Sequence, residues 1–444
     1  ANMNTKNFTM QKNAKIIISA LKNHSYDAYI VGGYLRDMML GKRVNDIDIA
    51  TDALPDEVTK IFKDKYIVAH TGIKYGTVTV IIDNVPIEIT TYRSESNYLD
   101  GRHPQKINFE KDIKYDLSRR DFTINAMAYN DDVGLIDIFN SKFDLENKII
   151  RCVGNPRKRF KEDKLRMLRA IRFASQLNFE IEQNTFDAIK SLSHTINDIS
   201  IERMNVELTK MLLTEKPSKA FILMYETGLL KHILPVIDDM YGYDQQNPYH
   251  QYDLFFHTMS VLDNVKNDII LRLSALFHDT GKLYTRTVDE NGIAHFYGHN
   301  KISKEIAVKY LKKLRYTNNI INIVSLLVEK HMIAPDTITP KGIRRLISYI
   351  GKENINYLVE IQKADSMSTT IGDNDIFEKK VKQVLDEENI FTKKDLALNG
   401  NDIKKLGYTG KEIGEILNYL MEIVLDEPRL NTKEILLQKI KDMQ

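Results

Sequence analysis

The chain has 444 residues, 43% hydrophobic and 28% charged, with a net charge of +2. That is enough material for two to four packed domains, and too balanced in charge for a uniformly basic nucleic-acid coat. No run of about 18 apolar residues and no cationic-then-apolar leader occurs, so neither a membrane span nor a secretory signal is expected. The single cysteine, Cys152, excludes an intrachain disulfide framework, fits a reducing cytoplasm and reads as a small buried hydrophobe.

Residues 10–28 carry Ile16, Ile17 and Leu21 on one helical face. Tyr29-Ile30-Val31 then reads as a buried strand end, Gly32-Gly33 as a turn, and Tyr34-Leu35-Arg36-Asp37 as the opening of a helix. A second strand is expected to carry Asp46 and Asp48, whose side chains, two apart, share a face. Converging carboxylates suit the hard cations of two-metal phosphoryl transfer, and they are candidate metal ligands here. Gly32 and Gly33 let backbone N–H groups approach a triphosphate, and Arg36 can add a charge-assisted contact. Read alone, the glycines could be a plain turn and the acids solvated.

Pro55-Asp56-Glu57 opens a helix toward Phe62, and 66–68, 77–82 and 86–93 alternate as strands, with Asp83-Asn84 the hairpin turn between the last two. Glu88 falls in an apolar strand, where a carboxylate is expensive to bury without a cation. It is a candidate third acid of the catalytic site, with a surface edge-strand glutamate as the alternative. Residues 94–117 are polar and without pattern, and read as a long loop. Within 119–127, RRDFTINAM, Arg120 can neutralise triphosphate oxygens, while Asp121 and Asn125 can hold the arginines or a ribose. Residues 134–139 read as a closing strand and turn.

Between Arg151 and Arg172 nine Lys or Arg residues face two acids, Glu162 and Asp163. Such a run is often a solvated face, but here it has an internal order. Residues 160–173 predict one helix, with Leu165, Leu168, Ile171 and Phe173 toward the core. Asp163, Arg166 and Arg169 are consecutive surface neighbours on its other side. Cytosine and adenine each place an exocyclic amine donor beside a ring-nitrogen acceptor, and uracil and guanine reverse that order. A carboxylate beside a guanidinium therefore matches C and A, although an ordinary intrahelical Asp–Arg pair would look the same in the text.

Helical patterns continue over 183–240, with Pro235 breaking the run. Six of the 11 histidines then fall between 250 and 331. His257, His278, Asp279 and Asp365 form an H…HD…D series with the ligand chemistry for a divalent ion. A lone histidine on an apolar helix is more often a satisfied core residue, but here His299 and His331 accompany the series. In the tail, Gly400, Gly407, Gly410 and Gly414 punctuate short helices. Gly410-Lys411 offers N–H groups and a lysine for RNA phosphate, or caps a helix that packs on another copy.

Together GG-x-x-RD followed by D-x-D, then RRDFT-x-NA and E-D-x-x-R (Glu162, Asp163, Arg166), resemble the bacterial class II tRNA nucleotidyltransferases, the CCA-adding enzymes, and their poly(A) polymerase relatives. The histidine series resembles the HD metal-dependent phosphohydrolases. The resemblance implies an α+β fold: a mixed-sheet nucleotidyltransferase head at 10–145, a base-recognising and RNA-binding neck at 146–215, an HD-like helical body at 216–370 and a tRNA-binding tail at 371–444. It implies Mg²⁺, and a second divalent metal in the HD-like body held by His257, His278, Asp279 and Asp365. It further implies CTP and ATP as substrates, the tRNA 3′ end as partner, no membrane partner and a cytoplasmic location, with the oligomeric state open.

The resemblance assigns Asp46, Asp48 and Glu88 to catalysis, and Gly32, Gly33, Arg36, Arg120, Asp163, Arg166, Arg169 and Arg172 to nucleotide binding, with Glu162 orienting Arg166. Asp100-Gly101-Arg102-His103-Pro104 resembles the family's flexible loop, associated with adding the final A, which argues against a CC-only enzyme. The alternatives are an A-adding specialist, a poly(A) polymerase, disfavoured by the lack of a long basic extension before Gln444, or a protein acting mainly through HD-type phosphohydrolysis.

Overall fold

The computed structural model describes residues 11–44, 46–96, 106–387 and 391–444. The 100–104 segment lies outside the described residues. The chain forms two compact units, residues 1–211 with 219–233, and 212–218 with 234–444. The body boundary expected at 216 falls inside this exchange of segments.

In the first unit, α1 (Lys12–Asn23) buries Ala14, Ile17, Ile18 and Leu21 along one face. The sheet comprises β1 (Ala28–Val31), β2 (Ile47–Thr51), β3 (Ile67–Ala69), β4 (Thr77–Ile82), β5 (Val85–Thr91), β8 (Ala128–Asn130) and β9 (Gly134–Ile136), in the order β3-β4-β5-β2-β1-β8-β9. β6 (Arg93–Ser96) and β7 (Lys106–Phe109) pair separately. β2 and β5 are parallel and the remaining neighbours antiparallel, so the sheet is mixed. Asp83 and Asn84 both take positive φ, the backbone of the tight β4–β5 hairpin turn.

The helices α2 (Gly32–Met39), α3 (Pro55–Phe62), α4 (Ile113–Ser118) and α5 (Ser141–Glu146) surround the sheet elements in sequence. They are followed by α6 (Pro156–Glu162), α7 (Leu165–Leu177), α8 (Gln183–Leu192) and α9 (Ile201–Leu212). α10 (Ser218–Thr227) and α11 (Leu230–Ile233) complete the segment that returns to this unit.

The second unit is helical apart from a two-stranded ribbon, β12 (Thr287–Val288) with β13 (Ala294–His295); a further short pair in the first unit joins β10 (Ile149–Ile150) to β11 (Glu180–Ile181). α12 (Pro235–Asp239) begins at Pro235, which heads a helix as well as ending the preceding pattern. α13 (Leu254–Asn264), α14 (Ile269–Phe277), α15 (His299–Lys313), α16 (Asn318–Lys330), α17 (Pro340–Ile350), α18 (Ile355–Met367) and α19 (Ile376–Asp386) follow. The tail helices α20 (Gly400–Lys404), α21 (Lys411–Asp426) and α22 (Lys433–Asp442) close over a core of Ile403, Ile416, Leu420, Val424, Leu436 and Ile440. No helix among the described residues is long and apolar enough to cross a membrane.

Four local expectations are corrected. β2 begins at Ile47, so Asp46 stands exposed just before the strand and only Asp48 lies within it. Glu88 is exposed, because strand alternation buries Ile87 and Ile89 and turns Glu88 to the sheet's other face. Residues 94–117 contain most of the β6–β7 pair and α4, whose Asp112 caps the helix by accepting from the Lys114 N–H. The single helix expected over 160–173 is broken at Asp163, whose backbone is extended (φ −146°, ψ 107°) and whose Oδ1 accepts from the Leu165 N–H at 3.1 Å. Aspartate favours this capping geometry over a helix interior, because its short side chain competes for backbone N–H groups.

Candidate active site and candidate metal centre

A cavity of about 440 Å³ in the first unit is lined by Gly32, Gly33, Arg36, Asp48, Arg120, Asp163, Arg166, Arg169 and Arg172, together with Arg119, Asp121, Asn125, Leu165, Phe173 and Arg203. Its floor is the β1–α2 turn. Gly32 has φ +68°, and a Cβ there would stand 3.1 Å from Arg120 Nη1 and 3.7 Å from Asp48 Oδ2. The positive φ favours glycine here, and a Cβ would also press on the Arg120 guanidinium.

Beside it, the β2–β5 register sets Asp48 opposite Glu88. Burial, then the Glu88 charge, push the Asp48 carboxyl up to about 6, against the pull of Arg120; the Glu88 hydrogen bond and the Asp46 charge add to the rise. Oxygen donors crowded until one resists ionisation are a donor set that a hard divalent cation would relieve. Of the three acids only Asp48 lines the cavity; Asp46 and Glu88 flank it.

The arginines are held in place by carboxylates beneath them. Asp116 is fully buried, and its Oδ1 accepts from Arg119 Nη2 at 3.2 Å and its Oδ2 from Arg120 Nη2 at 3.0 Å. Asp121 accepts from Arg169 Nε at 2.8 Å and from Asn125 Nδ2 at 3.2 Å, while Arg36 Nη1 donates to Asn125 Oδ1 at 2.6 Å. Burial alone would raise the Asp121 carboxyl, but the Arg169 and Arg166 guanidiniums outweigh it and hold it below the usual carboxylate range. Arg172 is bound by Glu207 of α9. Arg36, Arg169 and Arg172 surround the Phe173 ring at 4.9, 5.1 and 4.3 Å from its centroid.

At the far end of the cavity Arg166 is held by Glu162, as expected, while Asp163 has a partner the sequence did not offer. Arg166 Nη1 donates to Glu162 Oε2 at 2.8 Å and to the Arg159 carbonyl at 3.1 Å. Asp163 is instead gripped by Arg203, Nη1 to Oδ1 at 3.0 Å and Nη2 to Oδ2 at 2.8 Å. The backbone is extended at Asp163, yet the Arg166 N–H still donates to the Asp163 carbonyl at 3.1 Å and both residues line the same cavity.

In the second unit His257, His278, Asp279 and Asp365 place one ligand atom each within 4.8 Å of one another, and Asp279, His299 and His331 form a second such group. Asp279 Oδ2 lies 3.3 Å from His257 Nε2 and 3.1 Å from His278 Nε2, whereas its Oδ1 lies 3.1 Å from His299 Nε2 and 3.3 Å from His331 Nε2. Asp365 Oδ1 lies 2.9 Å from His257 Nε2 and 3.3 Å from His278 Nε2.

Each of these four imidazoles turns Nδ1 to a backbone carbonyl: Ser368 for His257, Ala275 for His278, Phe296 for His299 and Val328 for His331. That fixes every Nε2 toward the carboxylates, the arrangement of metal-ligating histidines. His278 is pushed up to about 10, because the Asp279 and Asp365 carboxylates outweigh its burial. The centre opens into a cavity of about 370 Å³, where Lys282 lies 3.3 Å from Asp279. Nitrogen and carboxylate donors in this number fit a divalent ion.

Asp116, Phe173, Arg203 and Glu207 are the positions that sequence reasoning missed in the first unit, and in the second His250 and Lys282, which line the cavity beside Asp279. Arg203 and Glu207, four apart on α9, carried a signal in their spacing, but nothing in the text joins α9 to Asp163 or Arg172.

Comparison with known proteins gives three family matches: the Poly A polymerase head domain over residues 28–151, the "Probable RNA and SrmB- binding site of polymerase A" over 178–241, and the HD domain over 249–370. The CCA-adding enzyme of Ligilactobacillus salivarius is 33% identical, covering 97% of this chain and 96% of its own. That of Pediococcus pentosaceus is 31% identical, covering 98% of each. Among solved structures, the Bacillus stearothermophilus CCA-adding enzyme in complex with CTP matches with a TM-score of 0.72 at 27% identity over 98% of this chain and 99% of its own. The Thermotoga maritima enzyme complexed with tRNA matches with a TM-score of 0.63 over 99% and 98%, and at 21% identity bears on the fold alone.

Proposed function

The chain belongs to the CCA-adding enzymes, and from that premise we propose how its residues divide the work. It is a nucleotidyltransferase that adds C, C and A to the tRNA 3′ end from CTP and ATP without a nucleic-acid template. The division into head (10–145), neck (146–215), body (216–370) and tail (371–444) is our reading of where these tasks lie.

The observation that carries the assignment is the single cavity running from the Gly32–Gly33 turn and Asp48 to Asp163 and Arg166. In our reading Arg36, Arg120 and the Gly32–Gly33 backbone hold the triphosphate, with Arg169 and Arg172 extending the cationic wall. Asp46 and Asp48, with Glu88 beside Asp48, would hold Mg²⁺, which when bound would supply charge neutralisation at the phosphates and lower the pKa of the tRNA 3′-hydroxyl. The 3′-hydroxyl gives up its proton to water or a site carboxylate, its oxygen bonds the α-phosphorus as the bond from that phosphorus to the bridging oxygen of the β-phosphate breaks, and pyrophosphate leaves with the released electron pair. Asp163 accepts from the exocyclic amine of C or A while Arg166, held by Glu162, donates to the adjacent ring nitrogen.

The test is incorporation by the full-length protein on tRNA transcripts ending at the discriminator base, at C and at CC, with CTP and ATP separately and together. Completion of all three is expected. Extension of the CC-ending transcript alone would make the protein an A-adding specialist, and retained incorporation by D48A would refute the site.

The two ligand groups sharing Asp279 favour a second reading for the other unit, a divalent-metal phosphohydrolase centre with Lys282 facing substrate phosphate. Metal content of the wild type against H278A, with hydrolysis of an aryl phosphodiester as the activity readout, decides it. Equal metal content in the two proteins would remove this reading.

A further inference from the structure

Resting on the reading of Asp163 and Arg166 as the base-selecting pair, we propose that Arg203 is the positioning residue that aims the Asp163 carboxylate, and so sets discrimination of C and A against U and G. Asp163 is the extended C-cap residue of α6, its N–H donating to the Arg159 carbonyl, so its backbone is fixed while the orientation of its carboxylate depends on side-chain partners. Two groups hold it: the Leu165 N–H at Oδ1 and the Arg203 fork across both oxygens, at 3.0 and 2.8 Å. The cap alone leaves the carboxylate free to turn about its Cβ–Cγ bond, whereas the planar fork fixes its plane.

Arg203 is itself well placed to do this. It lies in the first turn of α9, which buries Met204 and Leu208. One turn later Glu207 binds Arg172 of α7, so α9 and α7 are tied beside the site. The donor and the acceptor of the template therefore have separate anchors, Glu162 for Arg166 and Arg203 for Asp163.

The fork takes one lone-pair site on each oxygen, and a carboxylate offers about four, so an oxygen remains open to an exocyclic amine. Uracil O4 or guanine O6 at that point would set oxygen against oxygen. The penalty is full only when the carboxylate cannot rotate away.

The experiment compares full-length wild type, R203Q, R203K and D163A on tRNA transcripts ending in C and in CC, measuring kcat/KM for CTP, UTP, ATP and GTP, with thermal melting to check folding. R203Q is expected to lower the CTP/UTP and ATP/GTP ratios by about 10- to 100-fold, the scale of one positioned hydrogen bond in a selective site. R203K, which keeps the charge and loses the planar fork, is expected to lower them by less, and carries the test should R203Q fail to fold. A merely structural role would slow all four nucleotides alike. Wild-type ratios in the folded Arg203 variant, with D163A having lost selectivity, would overturn the proposal. Wild-type ratios in D163A as well would overturn the base-site reading on which it rests.

Discussion

Gly281, between His278-Asp279 and Lys282, gives the most quantitative test of the second unit. A Cβ at this position would stand 2.2 Å from the His299 carbonyl oxygen and 2.8 Å from both the Ser303 N and Oγ. Restoring an ordinary 3.4 Å contact to the carbonyl needs a retreat of about 1.2 Å, the difference between the two distances. The obstacle is backbone at the start of α15, so no side-chain rotation relieves it. That retreat is several-fold larger than the roughly 0.2 Å tolerance of a metal–ligand distance. It carries His299 away from Asp279 and His331, while His257, His278 and Asp365 stay on α13, the end of α14 and α18.

G281A should therefore empty the Asp279–His299–His331 group and spare the other. The overpacking should cost about 1–3 kcal/mol, or roughly 2–12 °C in the melting of a unit this size. Elemental analysis after saturation with Mn²⁺, alongside calorimetry, reads both. Unchanged metal content with an unchanged melting temperature would refute the packing argument, and loss of all metal would refute the division into two groups.

D116N leaves two guanidiniums over a buried group of half their former complement, so KM for CTP and ATP should rise together by about 10- to 100-fold, with a stability loss of about 3 kcal/mol, read by steady-state kinetics and denaturant melts. Asp48 binds a cation only when ionised, and its carboxyl is pushed up to about 6. At limiting Mg²⁺, kcat/KM should rise with pH through that value, and saturating Mg²⁺ should move the inflection to lower pH; a profile flat from pH 5 to 7 at limiting Mg²⁺ would contradict this. His278, pushed up to about 10, must surrender its proton to a metal, so Mn²⁺ uptake at pH 7 should release protons and tighten as pH rises. An indicator-dye titration showing no release would place His278 outside the ligand set.

Much of the first site was legible because its residues are close in sequence and their backbone demands are local. Gly32 has the positive φ that the glycine pair suggested, and Asp83-Asn84 makes its turn. The helix through 160–173 failed as one element because apolar periodicity continues across Asp163, and periodicity is blind to a capping side chain that stops the backbone ladder. Glu88 stands opposite Asp48 but is not the buried acid its apolar strand suggests, because the strand is apolar on one face and Glu88 belongs to the other.

The sequence by itself determined which chemistry the chain carries: acids and glycines at fixed spacing, an arginine-rich neck, and an ordered series of histidines and aspartates. Those are properties of residue type and separation, and they survive without coordinates. Only the tertiary structure decided who holds whom. Asp163 and Arg203 are 40 residues apart, Arg172 and Glu207 are 35 apart, and Asp279 meets histidines from four separate helix ends and faces. Such pairings are set by how helices dock, through packing that depends on the whole core rather than on any local pattern.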